Sequence, residues 1–529
     1  MVGWLAGSTS GSRRSDLIAG LTVAAMLVPQ GMAYAALAGM PPVTGLYAAT
    51  VPLVVYALLG TSGQLAVGPV AIVSLLTAST IAPLAGGDPG AYVALAAVLA
   101  LLVGAIQLTL GLLRAGQLTA LLSHPVISGF TSAAAIVIAT SQLDRLLGVQ
   151  IGRPEGWLAR IAALFGALDA THLPTLALGL VAIALLVLGK RLGPRVPTAL
   201  VVVVLATLIV PVLGLEGRGI AVVGDVPRGL PLPSLPLAPL DAVLALLPGA
   251  GIIAVLAYLE GLSVARAIAR RTHDRIDPDQ ELIANGAANL AAGLFQAFPV
   301  AGGFSRTAVN HSAGARTPLA SVVSAAGVIL ALLLLAPLLA TLPEVILAAI
   351  VIVAVAGLVD LREARHAWQV ERTDGLALAV TFVATLALGV EIGIGVGIAA
   401  SLLLSLWRVG VPRLTTRHVD GAVVIEVEGD LLPASSVRLA ELIEEQLEHH
   451  AAAGRRLLLD LSGVPTVDLS GVQVLSDLER AAGDAGMQLE LVGLRSGVRA
   501  SLRRAGLHDR LVHRSDVGGT VEIEQPITP

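Results

Sequence analysis

"FPVAGGFSRTAVN", residues 298–310, lies among apolar stretches of membrane-spanning character. It carries a proline, the pair Gly302–Gly303, Ser305 and Arg306 in quick succession. An unbroken apolar helix would sit in lipid at lower cost, because an arginine at mid-membrane costs roughly 2.5–3.5 kcal/mol on insertion scales. Irregular backbone is tolerated at that depth only where protein covers it or where it lines a cavity. The stretch therefore predicts a helix that begins partway through the membrane, near Phe304. The first N–H groups of such a helix have no intrahelical partner, and they carry the positive end of its dipole. That end is a ready anion site without a fixed charge.

Working outward, the chain of 529 residues is 55% hydrophobic and 13% charged, with a mean hydropathy of +0.85. A soluble domain carries about 25% charged residues, so a polytopic membrane protein is the leading class. There are no cysteines, which excludes disulfides and thiol-based metal or redox chemistry. No paired catalytic carboxylates, nucleophile–base arrangement or clustered metal ligands stand out, so an enzyme is not expected. Nothing points to nucleic acid. Arg13 and Arg14 precede a first apolar segment too long for the core of a signal peptide.

The apolar character runs to about Arg408. Residues 408–421 read as a linker, and beyond them the pattern becomes that of a layered α/β unit. Strands are expected at 422–429, 456–463 and 488–493, and helices at 435–450 and 470–486. The division is 1–413 for the membrane part and 414–529 for the soluble domain. Within the first part we read fourteen hydrophobic segments, close to the length of a full span except for two short ones that begin near Gly68 and Phe304. With the N-terminus inside, Arg13, Arg14, Lys190, Arg191, Arg270 and Arg271 fall on inside loops. The outside loops hold only Arg145, Arg153, Arg160, Arg218 and Arg228. An even number of crossings keeps the C-terminal domain in the cytoplasm.

A Pro-rich external stretch at 226–240 separates two sets of seven segments. "GLYAATVP" (45–52) echoes "GLFQAFP" (293–299), and "AVGPVA" (66–71) answers "AGGFSRTA" (301–308). Two short, Gly/Pro-interrupted segments in corresponding positions point to an inverted-repeat transporter with a central site. Gly68, Gly302 and Gly303 would let backbone approach a ligand, or else form a tight turn. Ser305 would add a hydroxyl and Arg306 a positive field. Glu260, the one acid well inside its segment, is the expected partner of Arg306, either in a structural ion pair or as the site of a coupling ion. On the first segment Pro29 kinks the helix, and Gln30 and Tyr34, four apart, share a face.

These motifs together resemble the sulfate permease (SulP) family of anion transporters, the family that includes prestin. The resemblance is carried by residues 16–52, by "GQLAVGPVAIVSLL" (63–76) and by residues 280–321. "LLLDLSGVPTVDLSGVQVL" (457–475) is similar to a STAS domain, the fold of bacterial anti-sigma-factor antagonists. The resemblance implies fourteen helices in a seven-plus-seven inverted repeat, with segments 1–4 and 8–11 as a core domain and 5–7 and 12–14 as a gate domain. It also implies a homodimer in a bacterial plasma membrane and an elevator-like movement of core against gate. The anion would sit between the N-termini of the third and tenth segments, at Gln30, Tyr34, Gly68, Pro69, Val70, Phe304, Ser305 and Arg306. Tyr34 stands where some relatives have Phe, and Pro69 where some have a hydroxyl residue. Na⁺-coupled bicarbonate relatives carry Asp and Thr where this chain has Glu260 and Val264, and the resemblance implies either H⁺ coupling, in preference to Na⁺, or a Glu260–Arg306 pair. Ser470 aligns with the serine phosphorylated in anti-sigma-factor antagonists. The alternative there is simple helix capping. The STAS domain implies a cytoplasmic protein partner. Two function classes stand: a secondary active transporter of small anions, by symport or exchange, and an anion sensor or channel-like protein signalling through the STAS domain.

Overall fold

A computed structural model of the chain describes residues 10–507 apart from 118–122, 153, 155, 192–196, 225, 411–412, 420–421 and most of 432–455. Arg153 and most of the helix expected at 435–450 lie outside the described residues. Two compact units part at Ala400/Ser401.

Every one of the fourteen segments coincides with helix. The first is α1 (Ser10–Leu37), and the second is split into α2 (Pro42–Ala48) and α3 (Val51–Leu59). Strand β1 (Val67–Gly68) leads into α4 (Ala71–Ile81), then come α5 (Pro89–Leu112), α6 (His124–Ser141) and its extension α7 (Leu143–Leu147). Helix α8 (Trp157–Gly166) falls outside the expected segments and precedes α9 (Leu173–Lys190) and α10 (Thr198–Val212). The second set runs α11 (Leu240–Thr272), α12 (Pro278–Leu294), strand β2 (Ala301–Gly302), α13 (Phe304–Ser312), α14 (Leu319–Leu334) with α15 (Ala336–Leu339), and α16 (Glu344–Val355). A second helix outside the expected spans, α17 (Leu361–Val370), leads to α18 (Arg372–Leu388) and α19 (Val390–Gly410). Among the described residues, six helical runs are long and apolar enough to cross a membrane on their own. The fold is that of a polytopic α-helical membrane protein.

Local sequence sets many of the starts. Pro42, Pro89 and Pro278 stand at first helical positions, where a missing N–H costs nothing. Asp88, Asp277 and Asp360 cap α5, α12 and α17 through their carboxylates. The short helices differ. At 1.5 Å per residue, α4 and α13 extend only about 16 and 13 Å, roughly half a hydrocarbon core. Each is preceded by extended backbone, and the two extended pieces pair antiparallel, Val67 opposite Gly302 and Gly68 opposite Ala301. Backbone polar groups in lipid must be satisfied internally, and here strand pairing and buried side chains do it. Asn289 Oδ1 accepts from the Val300 N–H at 2.8 Å, and its Nδ2 donates to the Val300 carbonyl at 3.1 Å and to Gln107 Oε1 at 3.0 Å. Gln107 Nε2 in turn donates to the Ala254 carbonyl.

Packing falls into two groups. Helix α12 runs along α5 and against α3, α14 along α1, and α11 against α4 and α5. Helix α18 runs along α6, and α16 packs against α9 and α6. The groups meet where α1 passes α10 and α16, and where α4 passes α6.

In the C-terminal unit a four-stranded sheet has the order β3 (Arg413–Val419), β4 (Ala422–Glu428), β5 (Arg456–Gly463), β6 (Leu489–Val492). The β3/β4 pair is antiparallel and the other two pairs are parallel. Val423, Ile425 and Val427 alternate into the core with Leu457, Leu459 and Leu461. Helices α20 (Leu469–Asp484) and α21 (Ser496–Arg504) accompany the sheet. The expected strands at 422–429, 456–463 and 488–493 are present. The stretch read as linker is in part strand β3, which owes its extended form to seven paired positions on β4.

Candidate anion site

The chain places a cavity of about 430 Å³ between the two helix groups. Its floor is made by the starts of the half-helices: Val70, Ala71 and Ile72 on α4, and Gly303, Phe304, Ser305 and Arg306 on α13. Neither N-terminus has a side-chain cap, in contrast to the Asp-capped helices. The Ser74 N–H is the first to reach back along α4, to Val70, and the Thr307 N–H the first along α13, to Gly303. The Gly303 N–H donates to the Ala66 carbonyl at 3.1 Å, and the N–H groups of the first turns of α4 and α13 have no acceptor within their own helices. Phe304 is 52% exposed, which inside this fold means exposed to the cavity.

Arg306 is 2% exposed and lies in the first turn of α13. Its Nη1 donates to the Pro69 carbonyl and its Nη2 to the Ala66 carbonyl at 3.5 Å, while Nε has no partner. The expected ion pair with Glu260 is not formed. The guanidinium is drawn instead to the carbonyls that precede α4, the nearest acceptors in a region where extended backbone cannot satisfy itself. Glu260 is half-buried on the cavity wall, without a hydrogen bond or close ion pair among the described residues. Two helix N-termini and one guanidinium thus converge with no bonded counter-charge.

The two glycines make room inside the protein, and Gly303 also lines the cavity. Neither has a positive φ, so no left-handed turn is involved. A Cβ on Gly302 would lie 2.8 Å from Gly261 Cα, so this glycine lets strand β2 press against α11. A Cβ on Gly303 would lie 2.8 Å from Arg306 Nη2, so this one makes room for the folded-back guanidinium. Gly68 also lies beside that guanidinium and, with Pro69, forms none of the cavity lining. Val70 does line it, as do Gln30 and Tyr34, both buried on α1.

Sequence reasoning did not find the opposite wall, which comes from Leu186 and Gly189 on α9, Pro197 to Ala199 at the start of α10, and Ile350, Val353 and Leu358 at and beyond α16. Apolar residues in apolar segments give no signal of lining a site. It also missed Asn289 and Gln107, although a polar side chain inside an apolar segment is a signal in itself. In the C-terminal unit, Asp468 caps α20 by accepting from the Gly471 N–H, so Ser470 is not the cap. Ser470 lies instead in the first turn, half-buried.

Residues 14–381 match the family model described as the sulfate permease family, and residues 414–513 match a model described as Mlab, STAS domain. A probable sulfate transporter of Mycobacterium tuberculosis (strain CDC 1551) is 35% identical over 94% of this chain and 92% of its own. The chloroplastic sulfate transporter 4.1 of Arabidopsis thaliana is 34% identical over 93% of this chain and 77% of its own. Among solved structures, the murine Slc26a9 anion transporter in the inward-facing state superposes with a TM-score of 0.87 at 25% identity, covering 96% of this chain and 90% of that one. The transmembrane domain of the cyanobacterial bicarbonate transporter BicA gives 0.65 at 25% identity over 75% and 98%.

Proposed function

The chain belongs to the sulfate permease family, and from that premise we propose that it moves small anions across the membrane as a secondary active transporter. The observation that carries the reading is the meeting of two uncapped helix N-termini and a buried arginine at one cavity. Each N-terminus carries about half a positive charge, and Arg306 adds a full one. An anion relieves the mutual repulsion, and a cation would worsen it. Backbone N–H groups recognise charge and size more than chemical identity, so sulfate, bicarbonate, chloride and dicarboxylates form the substrate class to test.

The two packing groups supply a core, which holds both half-helices, and a gate, which supplies the apolar opposite wall. We assign segments 1–4 and 8–11 to the core and 5–7 and 12–14 to the gate, with elevator-like movement of one against the other. The cavity lining extends to residues flanking the 190–197 connection and to the end of α16. Arginine bias puts both on the cytoplasmic side, which supports reading the conformation as inward-facing with both termini inside. Homodimerisation, a bacterial plasma membrane location and H⁺ rather than Na⁺ as the coupling ion belong to the same proposal. In the STAS domain we assign Ser470 a regulatory role through a cytoplasmic protein partner. A phosphate there would reach the first-turn N–H groups of α20, in competition with Asp468.

The test is uptake by proteoliposomes of purified protein, screened over the four anion classes. Arg306→Ala leaves the Pro69 and Ala66 carbonyls without a donor and removes the fixed charge. Its expected effect is a loss of uptake of about tenfold or more, the size of one charge-assisted hydrogen bond. No flux of any of these anions by the wild type, with anion binding retained, would favour the sensor reading instead.

A further inference from the structure

Away from the cavity, on the side that arginine bias places outside, two polar contacts cross from one helix group to the other. We propose that Glu391 and Arg145 are extracellular latches that hold the inward-facing state closed to the outside. The inference rests on the transporter reading and on the core and gate assignment above.

Glu391 lies in the first turn of α19, on the gate. Its Oε1 accepts from Thr80 Oγ1 at 2.5 Å and from Ser79 Oγ at 3.1 Å, both in the last turn of α4 on the core. Thr80 is nine residues beyond Ala71, so this contact stands about 13 Å along the half-helix from its anion-facing end. Arg145, on α7 of the gate, directs Nη1 and Nη2 at the Ala36 carbonyl near the end of α1, both at 3.4 Å. Glu391 and Arg145 therefore grip the outer ends of the two core helices that carry Val70, Gln30 and Tyr34.

What marks these contacts as switches is that the hydroxyls, the carbonyl and the guanidinium each keep a second partner on release, while the Glu391 carboxylate, which is only half-buried, is left to water. A hydroxyl has one hydrogen. Thr80 Oγ1 has the Leu76 carbonyl at 2.8 Å as a second acceptor, and Ser79 Oγ has the same carbonyl at 3.0 Å. On release both hydroxyls turn back into their own helix. The Ala36 carbonyl already accepts from the Gly39 N–H at 3.2 Å. Arg145 keeps Gln142 Oε1 at 3.2 Å and Glu344 Oε2 at 3.8 Å, both on the gate. Sliding the core past the gate thus leaves Thr80, Ser79, Ala36 and Arg145 with partners in their own helix group, which a contact built only for rigidity does not require.

The absence of native cysteines allows a single-cysteine reporter. Ala354→Cys places a thiol on the cavity wall, labelled by a membrane-impermeant maleimide in inverted vesicles when the cavity faces the cytoplasm. Glu391→Gln is expected to lower the inward-to-outward ratio by about tenfold, seen as slower labelling. Thr80→Val, which removes the hydroxyl and no charge, should do likewise, and the two together should add little to either alone. Arg145→Gln should add to Glu391→Gln. Unchanged labelling in Glu391→Gln and Thr80→Val, with both proteins monodisperse, overturns the proposal. If Glu391→Gln does not fold, Thr80→Val alone decides. Labelling needs no substrate, so shifted labelling without anion flux keeps the latch and sinks transport, while flux with unshifted labelling does the reverse.

Discussion

Arg306 sits in the first turn of α13, where the helix dipole disfavours a cation by about 0.3–1 kcal/mol, and its burial adds a desolvation penalty. The side chain is held in spite of both by two backbone carbonyls across the chain, at Pro69 and Ala66. Its position therefore depends on the room left by Gly303. This separates the two adjacent glycines experimentally. Gly302→Ala drives a methyl group against backbone at Gly261. Overpacking of that kind costs typically 1–3 kcal/mol, so the expected result is a lower melting temperature in detergent. Gly303→Ala meets the far end of a flexible side chain instead. The protein should melt near the wild-type temperature while anion affinity falls as the guanidinium is pushed off Pro69. Wild-type anion affinity in Gly303→Ala would show that the guanidinium's position does not matter to binding.

At the scale of elements, the half-helices α4 and α13 share uncapped N-termini with many other helices of the chain, and differ in that both of theirs meet at the cavity. Asp88, Asp277, Asp360 and Asp468 each bring a carboxylate to a helix start elsewhere in the chain, whereas Val70 and Gly303 bring none. Val70 already has the extended backbone of a capping residue. Val70→Asp would supply the missing carboxylate as an intramolecular substitute for the anion, with stabilisation of about 1 kcal/mol typical of a cap. The expected outcome is retained folding with loss of anion-dependent thermal stabilisation and of uptake. An undiminished anion response in that variant would place the anion elsewhere. That these helices are short was legible, because Gly68, Pro69, Gly302 and Gly303 interrupt apolar runs that would otherwise span. The fourteen segments were legible for the same reason: lipid imposes one demand on all of them. Strand β3 was not, because "RLTTRHV" has no apolar run and becomes a strand only through its pairing with β4. The roles of Gly302 and Gly303 were not either, since what a missing Cβ makes room for, Gly261 or a guanidinium, is a tertiary fact. Nor was the gate wall, since Leu186, Ile350 and Val353 look the same facing lipid as facing a site.

For the whole molecule, the question is what makes anion movement directional. In the proposed inward-facing state the site would open to one side, and sliding the core against the gate would open it to the other. Neither motion favours accumulation unless a second species travels with the anion. Glu260 lines the same cavity as Arg306, and among the described residues no ion pair or hydrogen bond fixes its charge. An anion entering beside a carboxylate is repelled, and one entering beside a carboxylic acid is not. On the proposed H⁺ coupling, proton and anion would bind together: acid on the outside would load Glu260 and the site in the outward-facing state, and a less acidic interior would release both. Uptake should therefore rise as the external pH is lowered at constant internal pH, and fall when the gradient is reversed. Glu260→Gln is fixed in the neutral form. It should bind anion as tightly as the protonated wild type, exchange anion for anion between the two sides of a proteoliposome, and accumulate none in response to a pH gradient. The measurement is radiolabelled-anion uptake in proteoliposomes with and without an imposed gradient, with exchange assayed in parallel. Gradient-driven accumulation by Glu260→Gln at the wild-type level would remove the proton from Glu260 while leaving the anion site on α4 and α13 intact.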